Sequence, residues 1–457
     1  MIKNLNIVIL AAGKGTRMYS KMPKVLHKLG GKPLLWHVLQ TAKSLQPGKI
    51  HVIYGEGGDL VRKYFEKDDI NWVEQTKRLG TGHAVMQALP HLEHASQVLI
   101  LYGDVPLISL TTLEQLIKNM PEDGLGLLSA KFSDPTGFGR IVRDKSANIT
   151  AIVEHKDATL VEQKISEINT GILVTTSKIL RNYLPQLHQS NAQGEYYLTD
   201  IIAMLHADGV PINCLLASDP EEVVGINDQK QLANLERKYQ RALADNFMAK
   251  GLILPDPDRF DVRGELTVGS NVMIDVNVVI EGEVTLGSDT TIGPNNFLKN
   301  VQIGENVTVK ANCVIENAVI SDDCIVGPFA RIRPNTFLDQ GAHVGNFAEV
   351  KNSKIGKNSK THHVSYLGDT IIGSDVNIGA GTITCNYNGV DKYQTVIEDG
   401  AFVGSNTSLV APVTIGKSAV IGAGSVITQD APQDKLTVAR AKQATIDGWQ
   451  RKKKKKK

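Results

Sequence analysis

Aliphatic residues recur at every sixth position through much of the C-terminal half of the chain. The period runs through Val268, Ile274 and Ile280, and after one-residue slips it continues as far as Ile427. Glycine often follows the aliphatic residue, as at Ile292-Gly293, and we expect these glycines to allow sharp corners. A β-sandwich strand would alternate with period two instead. The pattern therefore predicts hexapeptide repeats that form a left-handed parallel β-helix, in which three flats make one coil and the aliphatic side chains stack inside.

One interval breaks this period. After Ile378-Gly379 the next clear aliphatic-glycine pair is Val403-Gly404, and the segment 384–389 lies between them. An insertion in a repeat array is usually a loop on one face and often a binding element. The sequence therefore predicts a functional loop at this point.

The N-terminal half has a different pattern, in which short aliphatic runs alternate with amphipathic stretches. Predicted strands are Ile7–Leu10, Ile50–Tyr54 and Val98–Tyr102, and predicted helices include Leu34–Leu45 and Thr112–Asn119. This alternation indicates an α/β fold, Rossmann-like, with a mostly parallel sheet and ligands beyond the carboxyl ends of its strands. A helical period from about Asp228 ends at Gly251. We therefore predict three regions: an N-terminal domain at 1–228, a linker helix at 229–251 and the β-helix domain with a basic tail at 252–457.

Composition and charge exclude several classes of protein. Hydrophobic residues make up 42% and charged residues 21% of the 457 residues, which fits a soluble globular protein. The net charge is +2 with the six terminal lysines and therefore −4 without them, so the folded body carries no general signature of nucleic-acid binding. Four separated cysteines without a C-x-x-C pair fit a reducing compartment, and we expect a cytoplasmic protein. No apolar run is long enough for a membrane helix, and no segment resembles a signal peptide.

The loop after the first predicted strand suits a phosphate ligand. Two glycines in Gly13-Lys14-Gly15 allow backbone N–H groups to approach an anion, and Lys14, Arg17 and Lys24 add positive charge. The dinucleotide-binding fingerprint fails because Met18 stands where its third glycine belongs. Asp104 follows the strand Val98–Tyr102, and its carboxylate suits Mg2+ held together with substrate phosphates.

The string Leu10-Ala11-Ala12-Gly13-Lys14-Gly15-Thr16-Arg17-Met18, followed by Pro23-Lys24, resembles the signature of sugar-1-phosphate nucleotidylyltransferases. Together with the hexapeptide array, it makes the chain similar to the bacterial family of bifunctional N-acetylglucosamine-1-phosphate uridylyltransferase/glucosamine-1-phosphate N-acetyltransferases. The resemblance extends from Asn6 to Lys457 and assigns uridylyl transfer to 1–228 and acetyl transfer to 252–457. It implies UTP and acetyl-CoA as substrates, Mg2+ as cofactor and a homotrimer joined through the β-helix, without nucleic acid or membrane insertion.

The resemblance also assigns residues in the N-terminal domain. It places Arg17 and Lys24 at the triphosphate and pyrophosphate, and Asp104 and Asn227 at Mg2+. The positions implied for UTP or its nucleotide sugar product are Leu10, Ala11, Gly13, Arg17, Lys24, Gln75, Gly80, Thr81, Tyr102, Asp104, Gly139, Glu154, Asn169 and Asn227.

In the β-helix the resemblance implies a general base at His363, with Glu349 orienting its imidazole. A side chain with a pKa near 6.5 can take a proton from the sugar amine at physiological pH. The doubled His362-His363 leaves open which ring acts. The resemblance places the acceptor sugar phosphate at Arg333, Lys351, Tyr366 and Asn377, and acetyl-CoA at Ala380, Asn386, Tyr387, Ser405, Ala423 and Arg440.

The predicted function is thus a two-step synthesis of UDP-N-acetylglucosamine, a precursor of peptidoglycan and lipopolysaccharide. Glucosamine-1-phosphate is acetylated first, and UMP is then transferred from UTP with release of pyrophosphate. The first alternative is a monofunctional nucleotidylyltransferase with a structural β-helix. Two others are a scaffolding subunit with a degenerate transferase domain, and a carbonic anhydrase with zinc on His343, His362 and His363.

Overall fold

The computed structural model describes residues 4–451, so the lysine run 452–457 lies outside the described part. The described residues divide into two compact units, one ending at Tyr239 and the other beginning at Gln240. Among residues 4–451, no helix is both long enough and apolar enough to cross a membrane.

The first unit contains strands and helices in alternation, as the sequence predicts. Its strands are β1 (Leu5–Leu10), β2 (Lys28–Leu29), β3 (Lys32–Pro33), β4 (Lys49–Tyr54), β5 (Asn71–Glu74), β6 (Gln97–Tyr102), β7 (Leu125–Lys131), β8 (Arg140–Arg143), β9 (Ile149–Val153), β10 (Glu167–Thr176) and β11 (Ile212–Leu216). Its helices are α1 (Leu34–Ser44), α2 (Gly58–Tyr64), α3 (Thr81–Ala88), α4 (Leu110–Asn119), α5 (Ser177–Tyr183) and α6 (Asp200–Ala207).

Seven of these strands form the main path of one sheet in the order β11-β7-β10-β6-β1-β4-β5, and β8 and β9 extend it beside β10. The pairs β1–β4, β1–β6, β4–β5 and β11–β7 are parallel, whereas β10 is antiparallel to β6 and β7. Leu10 is in register with Ile53 and with Tyr102, so β1, β4 and β6 end at the same edge. The glycine-rich loop and Asp104 therefore leave the sheet side by side, as the sequence predicts.

A long helix, α7 (Gln229–Ala249), lies where the sequence predicts the linker helix. The division between the two compact units falls within it, between Tyr239 and Gln240. Gly251, with φ of +99°, follows the helix end, as is common for a glycine just beyond a helix.

The second unit is a parallel β-helix of 23 short strands. They are β12 (Asp261–Val268), β13 (Met273–Ile274), β14 (Val279–Leu286), β15 (Thr291–Ile292), β16 (Phe297–Ile303), β17 (Thr308–Val309), β18 (Val314–Ile320), β19 (Ile325–Val326), β20 (Arg331–Ile332), β21 (Thr336–Leu338), β22 (His343–Lys351), β23 (Lys354–Ile355), β24 (Lys360–Gly368), β25 (Thr370–Ile372), β26 (Asn377–Ile378), β27 (Ile383–Cys385), β28 (Thr395–Ile397), β29 (Phe402–Val403), β30 (Ser408–Val410), β31 (Val413–Ile415), β32 (Val420–Ile421), β33 (Val426–Ile427) and β34 (Leu436–Thr437).

Each strand of the coil pairs with its counterpart one turn later, and the aliphatic residues stack in columns. In one column Ile274 pairs with Ile292, which pairs with Val309, and all three side chains are buried. A single coil cannot bury its own aliphatic residues, so stacking creates the core, as the hexad period predicts. The coil from Ile378 to Val403 is longer and carries the predicted insertion as a loop.

The predicted reason for the glycines after the aliphatic residues is wrong at Gly345 and Gly404. A Cβ at Gly345 would lie 2.0 Å from the carbonyl oxygen of His362, and one at Gly404 would lie 2.5 Å from the backbone nitrogen of Ala423. Neither glycine has a positive φ. They are needed because adjacent coils approach closely, while the left-handed corners are often occupied by asparagine, as at Asn295 with φ of +59°.

Candidate functional sites

A cavity of about 370 Å3 opens at the carboxyl edge of the sheet in the first unit. Nine of the fourteen predicted nucleotide-site residues line it: Leu10, Ala11, Gly13, Lys24, Gln75, Gly80, Thr81, Tyr102 and Asp104. The edge brings together loops that are far apart in sequence because parallel strands end there in common. The lining also includes Lys14, Arg78 and Glu195.

The glycine-rich loop forms one wall of this cavity. A Cβ at Gly13 would have no atom within 4 Å, so the loop leaves open space beside its backbone at that point. Gly15 has a φ of +62°, and a Cβ there would lie 2.7 Å from the Cβ of Lys24. Glycine at position 15 therefore lets the loop pass directly over Lys24, which brings that lysine to the cavity.

Lys24 contacts both predicted metal ligands. Its Nζ forms an ion pair with Asp104 and donates a hydrogen bond to Oδ1 of Asn227 over 3.3 Å. The Lys24 and Asp104 side chains are only 12% and 16% exposed. Asn227 does not line the cavity, but its Oδ1 and the Asp104 carboxylate both contact the ammonium of Lys24.

Arg17 is not placed with this group. It lies exposed on a short 3-10 helix, Thr16–Met18, and does not line the cavity. Two charged groups that no sequence motif marks lie here instead: Arg78, which lines the cavity, and Glu56, which pairs with it. The Glu56 carboxylate pairs with Arg78 and lies 3.9 Å from Nζ of Lys14, and these cations hold the pKa of Glu56 below its usual value.

The segment predicted to bind uracil is rigidly held. Gln75 is 4% exposed, and its amide donates to the carbonyl oxygen of Gly80 over 3.1 Å. A Cβ at Gly80 would lie 2.6 Å from the Tyr196 carbonyl oxygen, so only glycine fits there. The Thr81 hydroxyl accepts a hydrogen bond of 3.0 Å from the N–H of Leu198.

The predicted sugar positions form a second group in the same unit. The N–H of Asn169 donates to the Gly139 carbonyl oxygen over 2.8 Å, and its Oδ1 accepts from the N–H of Gly171 over 3.0 Å. Burial raises the pKa of Glu154, whose carboxylate accepts a hydrogen bond of 3.2 Å from Thr199.

Tyr102 connects this sugar group to the cavity. It lines the cavity, and burial, followed by the charges of Glu154 and Asp104, raises the pKa of its hydroxyl. Its ring also lies where a Cβ of Gly171 would fall. The Tyr102 side chain therefore lies between the residues predicted to bind the nucleotide and those predicted to bind the sugar.

In the second unit, the predicted acetyl-transfer residues lie in columns on the β-helix. His363 pairs in register with Asn346 of the preceding coil. Ala380 lies one coil after His363, and its carbonyl oxygen accepts a hydrogen bond of 2.7 Å from the N–H of Asn406 in the following coil. The carbonyl oxygen of Ser405, in the same coil as Asn406, accepts a hydrogen bond of 2.8 Å from the N–H of Gly424 in the coil after that. Nη1 of Arg440 then donates to the carbonyl oxygen of Ala423 over 2.6 Å. The acetyl-CoA positions Ala380, Ser405, Ala423 and Arg440 thus form a line along one edge.

The sugar-phosphate positions lie on the adjoining flat. Ile332 pairs with Val350, which places Arg333 and Lys351 one above the other. Tyr366 follows Glu349 in the next coil. Asn377 lies on the preceding flat, in register with Lys360.

The role predicted for Glu349 is wrong. Its carboxylate accepts a hydrogen bond of 2.7 Å from Nη1 of Arg333, whereas Nδ1 of His363 lies 2.8 Å from Oδ1 of Asn346. Sequence reasoning missed Asn346, although one coil of 17 residues separates it from His363. That coil length was the available signal.

His362 has different surroundings from His363. It is half-buried, and its ring centroid lies 4.3 Å from that of His343, whereas His363 is exposed. Burial and neighbouring positive charge lower the pKa of His362, and the same causes lower the pKa of His343 to about 4. Among residues 4–451, no group of three or more His, Cys, Asp or Glu side chains is arranged to hold a metal ion. The zinc alternative on His343, His362 and His363 therefore has no ligand set in the described chain.

The insertion loop carries the two remaining predicted residues. The Asn386 amide donates to the Asp369 carboxylate, which lies one coil earlier. The Tyr387 ring is 59% exposed, and its hydroxyl donates to the carbonyl oxygen of Gly389 over 2.5 Å. The loop therefore presents an aromatic side chain outside the coil.

The fold and the two sites define a two-domain transferase with a nucleotidyltransferase unit and a hexapeptide-repeat unit. The family model of the MobA-like NTP transferase domain matches residues 7–184, that of the GMPPB C-terminal domain matches 262–338, and that of the bacterial transferase hexapeptide matches 394–429. Among solved structures, the chain is similar to a putative glucose-1-phosphate thymidylyltransferase from Bacillus anthracis, with 21% sequence identity and a TM-score of 0.41. The match covers 51% of this chain and 94% of that protein.

The "Bifunctional protein GlmU" of Coxiella burnetii strain CbuG_Q212 is 57% identical to this chain over 448 residues, which are 98% of each protein. The same name and the same values hold for strain RSA 493 / Nine Mile phase I. The chain therefore belongs to the GlmU family of bifunctional proteins. The predicted enzyme class is confirmed: the chain is a bifunctional transferase of UDP-N-acetylglucosamine biosynthesis, with nucleotidyltransferase and acyltransferase activities.

Proposed function

We propose that region 1–228 transfers uridylyl groups in the cavity at the sheet edge, and that region 252–457 transfers acetyl groups along the His363 edge of the β-helix, with 229–251 as the linker. The observation that carries the first assignment is the contact of Lys24 with Asp104, both of which line the cavity, and with Asn227 behind them. The observation that carries the second is the line formed by His363, Ala380, Ser405 and Ala423.

In uridylyl transfer, a phosphate oxygen of N-acetylglucosamine-1-phosphate attacks the α-phosphorus of UTP, and pyrophosphate leaves. Repulsion between two anions makes up much of the barrier, so positioned cations lower it. Lys24 lines the cavity, and Arg17 lies on the short 3-10 helix that follows the glycine-rich loop. We assign both cations to neutralising the triphosphate and the leaving pyrophosphate. Gln75, Gly80 and Thr81 hold the uracil, and Gly139, Glu154 and Asn169 hold the sugar.

Asp104 and Asn227 fit a magnesium site. A carboxylate and an amide oxygen are hard ligands, and Mg2+ is usually bound by one or two such groups together with substrate phosphates. The two oxygens already converge on one cation, the ammonium of Lys24. When bound there, Mg2+ supplies charge neutralisation at the phosphates.

In acetyl transfer, the nitrogen of glucosamine-1-phosphate attacks the thioester carbonyl of acetyl-CoA. A C–N bond forms, the C–S bond breaks, and coenzyme A leaves. Nε2 of His363 takes one proton from the amine and returns it to the departing thiolate. Arg333 and Lys351 bind the sugar phosphate, Tyr366 and Asn377 contact the sugar, and the line from Ala380 to Arg440, with Asn386 and Tyr387, holds the thioester.

We further propose a homotrimer joined through the β-helix and a cytoplasmic location. The stacked coils leave exposed aromatic side chains beside His363, with Phe329 48% and Phe347 58% exposed and their rings 5.2 Å apart. All four cysteines are free, which suits a reducing compartment.

Mass spectrometry of the products made from glucosamine-1-phosphate, acetyl-CoA, UTP and Mg2+ tests the assignment. We expect Asp104→Ala to accumulate N-acetylglucosamine-1-phosphate without nucleotide sugar, because acetyl transfer continues. We expect His363→Ala to give no acetylated product, but to convert supplied N-acetylglucosamine-1-phosphate normally. If His362→Ala gives the second result and His363→Ala does not, the base is the neighbouring histidine.

A further inference from the structure

Among the residues that the structure describes, the imidazole of His363 has one hydrogen-bond partner, which lies one coil earlier. Oδ1 of Asn346 is 2.8 Å from Nδ1 of His363. The two residues are register partners in the pair β22–β24. The contact is therefore built into the stacking of the coils.

The backbone around this contact is firmly held. The Ser365 hydroxyl donates to the carbonyl oxygen of His363 over 2.9 Å. Gly345, directly before Asn346, lies so close to the next coil that a Cβ would be 2.0 Å from the His362 carbonyl oxygen. Neither Asn346 nor His363 can shift along the coil without moving these neighbours.

The amide oxygen of Asn346 is an acceptor only, so the proton of the neutral ring lies on Nδ1. Nε2 then carries the free lone pair that a general base needs. We propose that Asn346 is the positioning residue of acetyl transfer, which fixes the tautomer and the orientation of His363 through this hydrogen bond. The inference rests on the proposed role of His363 as the base.

The charged and titratable groups near His363 are few. His362 and His343 lie beside it on the same edge, with Lys310 and Lys360 next to those two rings. The one carboxylate predicted to orient it, that of Glu349, pairs with Arg333. The Asn346 amide is thus the group that a substitution can convert into a charged partner of the base.

Two substitutions of similar size test the proposal in the full-length protein. Asn346→Leu removes the acceptor, and we expect kcat for acetyl transfer to fall about tenfold or more, as part of the roughly 100- to 10,000-fold that a general base supplies. The KM for acetyl-CoA should stay within about twofold, because binding of the thioester does not use Asn346. Asn346→Asp places a carboxylate against Nδ1, which stabilises the imidazolium and raises the pKa of the base. The acidic limb of the kcat/KM profile should therefore move to higher pH.

Asn312→Asp is the matched control, because it adds the same charge at the corner of an earlier coil that stacks, through Phe329, onto the corner beside Asn346. This control should leave the acidic limb of the kcat/KM profile for acetyl transfer at its wild-type pH. An unchanged KM for acetyl-CoA reports that the β-helix of each variant is folded. If Asn346→Leu keeps wild-type kcat and Asn346→Asp keeps the wild-type limb, Asn346 does not position the base. If His363→Ala keeps acetyl transfer, the proposed role of His363 as the base is wrong. This result is separate from the one that would contradict the positioning role of Asn346.

Discussion

The ammonium of Lys24 lies between the Asp104 carboxylate and the Asn227 amide oxygen, with the first contact an ion pair and the second a hydrogen bond of 3.3 Å. One side chain assigned to the triphosphate therefore occupies the position between the two ligands assigned to Mg2+. Lysine and a divalent cation compete for the same oxygens. For Lys24 to reach a phosphate, this contact has to open.

The first prediction concerns this competition. Lys24→Met removes the charge, and we expect the variant to bind Mn2+ in the absence of nucleotide about fivefold or more tightly than the wild type, because a repulsion of roughly 1 kcal/mol or more at 4 Å is lost. Uridylyl transfer should nevertheless fall steeply. Electron paramagnetic resonance of free Mn2+ measures the affinity. Equal affinity in the two proteins would show that the ammonium does not shield the metal ligands.

The second prediction concerns the contact between Gly171 and Tyr102. A Cβ at Gly171 would lie 2.4 Å from the ring of Tyr102, so Gly171→Ala has to displace that ring. Because Tyr102 lines the cavity, we expect uridylyl transfer to fall about tenfold or more, an effect of misplacement that is typical near a reaction centre. Steady-state kinetics of uridylyl transfer give the measurement, and acetyl transfer should not change.

Gly137→Ala is the control for this substitution. Gly137 has a φ of +88°, close to the +82° of Gly171, but a Cβ there has no atom within 4 Å. Both substitutions place a Cβ at a similar positive φ, but only Gly171→Ala displaces a ring. Equal losses in the two variants would assign the effect to strain alone.

The elements that follow from burial could be predicted from the sequence. The spacing of Ile274, Ile292 and Val309 reports directly which side chains stack inside the coil, and β1, β4 and β6 end at one edge because parallel strands share a direction. Hydrophobic periodicity along one segment indicates which face of that segment is buried, even when the segments that pack against it are unknown.

Partners between distant side chains could not be predicted in this way. Glu349 was expected at His363, but Arg333 lies 16 residues before it and takes its carboxylate. The coil length of 17 residues places Asn346 beside His363, but the hydrogen bond between the two side chains is visible only in the structure. The contact of Lys24 with Asp104 spans 80 residues, and nothing in either local segment indicates it.

A third prediction tests the interior of the β-helix. Thr361 stands in an aliphatic column, and its hydroxyl is buried with no hydrogen-bond partner among the described residues. Thr361→Val replaces that hydroxyl with a methyl group, and we expect it to stabilise the protein by about 1–2 kcal/mol, because an unsatisfied buried polar group is removed. Thermal or urea unfolding at equal protein concentration measures the change.

Thr384 provides the contrast for this substitution. Its side chain is equally buried, but its hydroxyl accepts a hydrogen bond of 2.8 Å from the N–H of Gly368. Thr384→Val leaves that N–H without its partner, so we expect destabilisation by about 1–3 kcal/mol. A stabilising effect of both substitutions would mean that the hydrogen bond at Thr384 contributes nothing.

The last prediction concerns acid stability. Burial and the neighbouring His362 lower the pKa of His343 to about 4, while the unfolded chain has the ordinary value of 6.5. Between these two values the unfolded state binds more protons, so stability is complete above pH 6.5 and declines as the pH falls toward about 4. His343→Gln removes this titration, and its unfolding free energy should therefore fall less between pH 7.5 and 4.5 than that of the wild type. Urea unfolding at the two pH values measures the difference. Parallel losses in both proteins would show that His343 is not the residue through which acid acts on the β-helix.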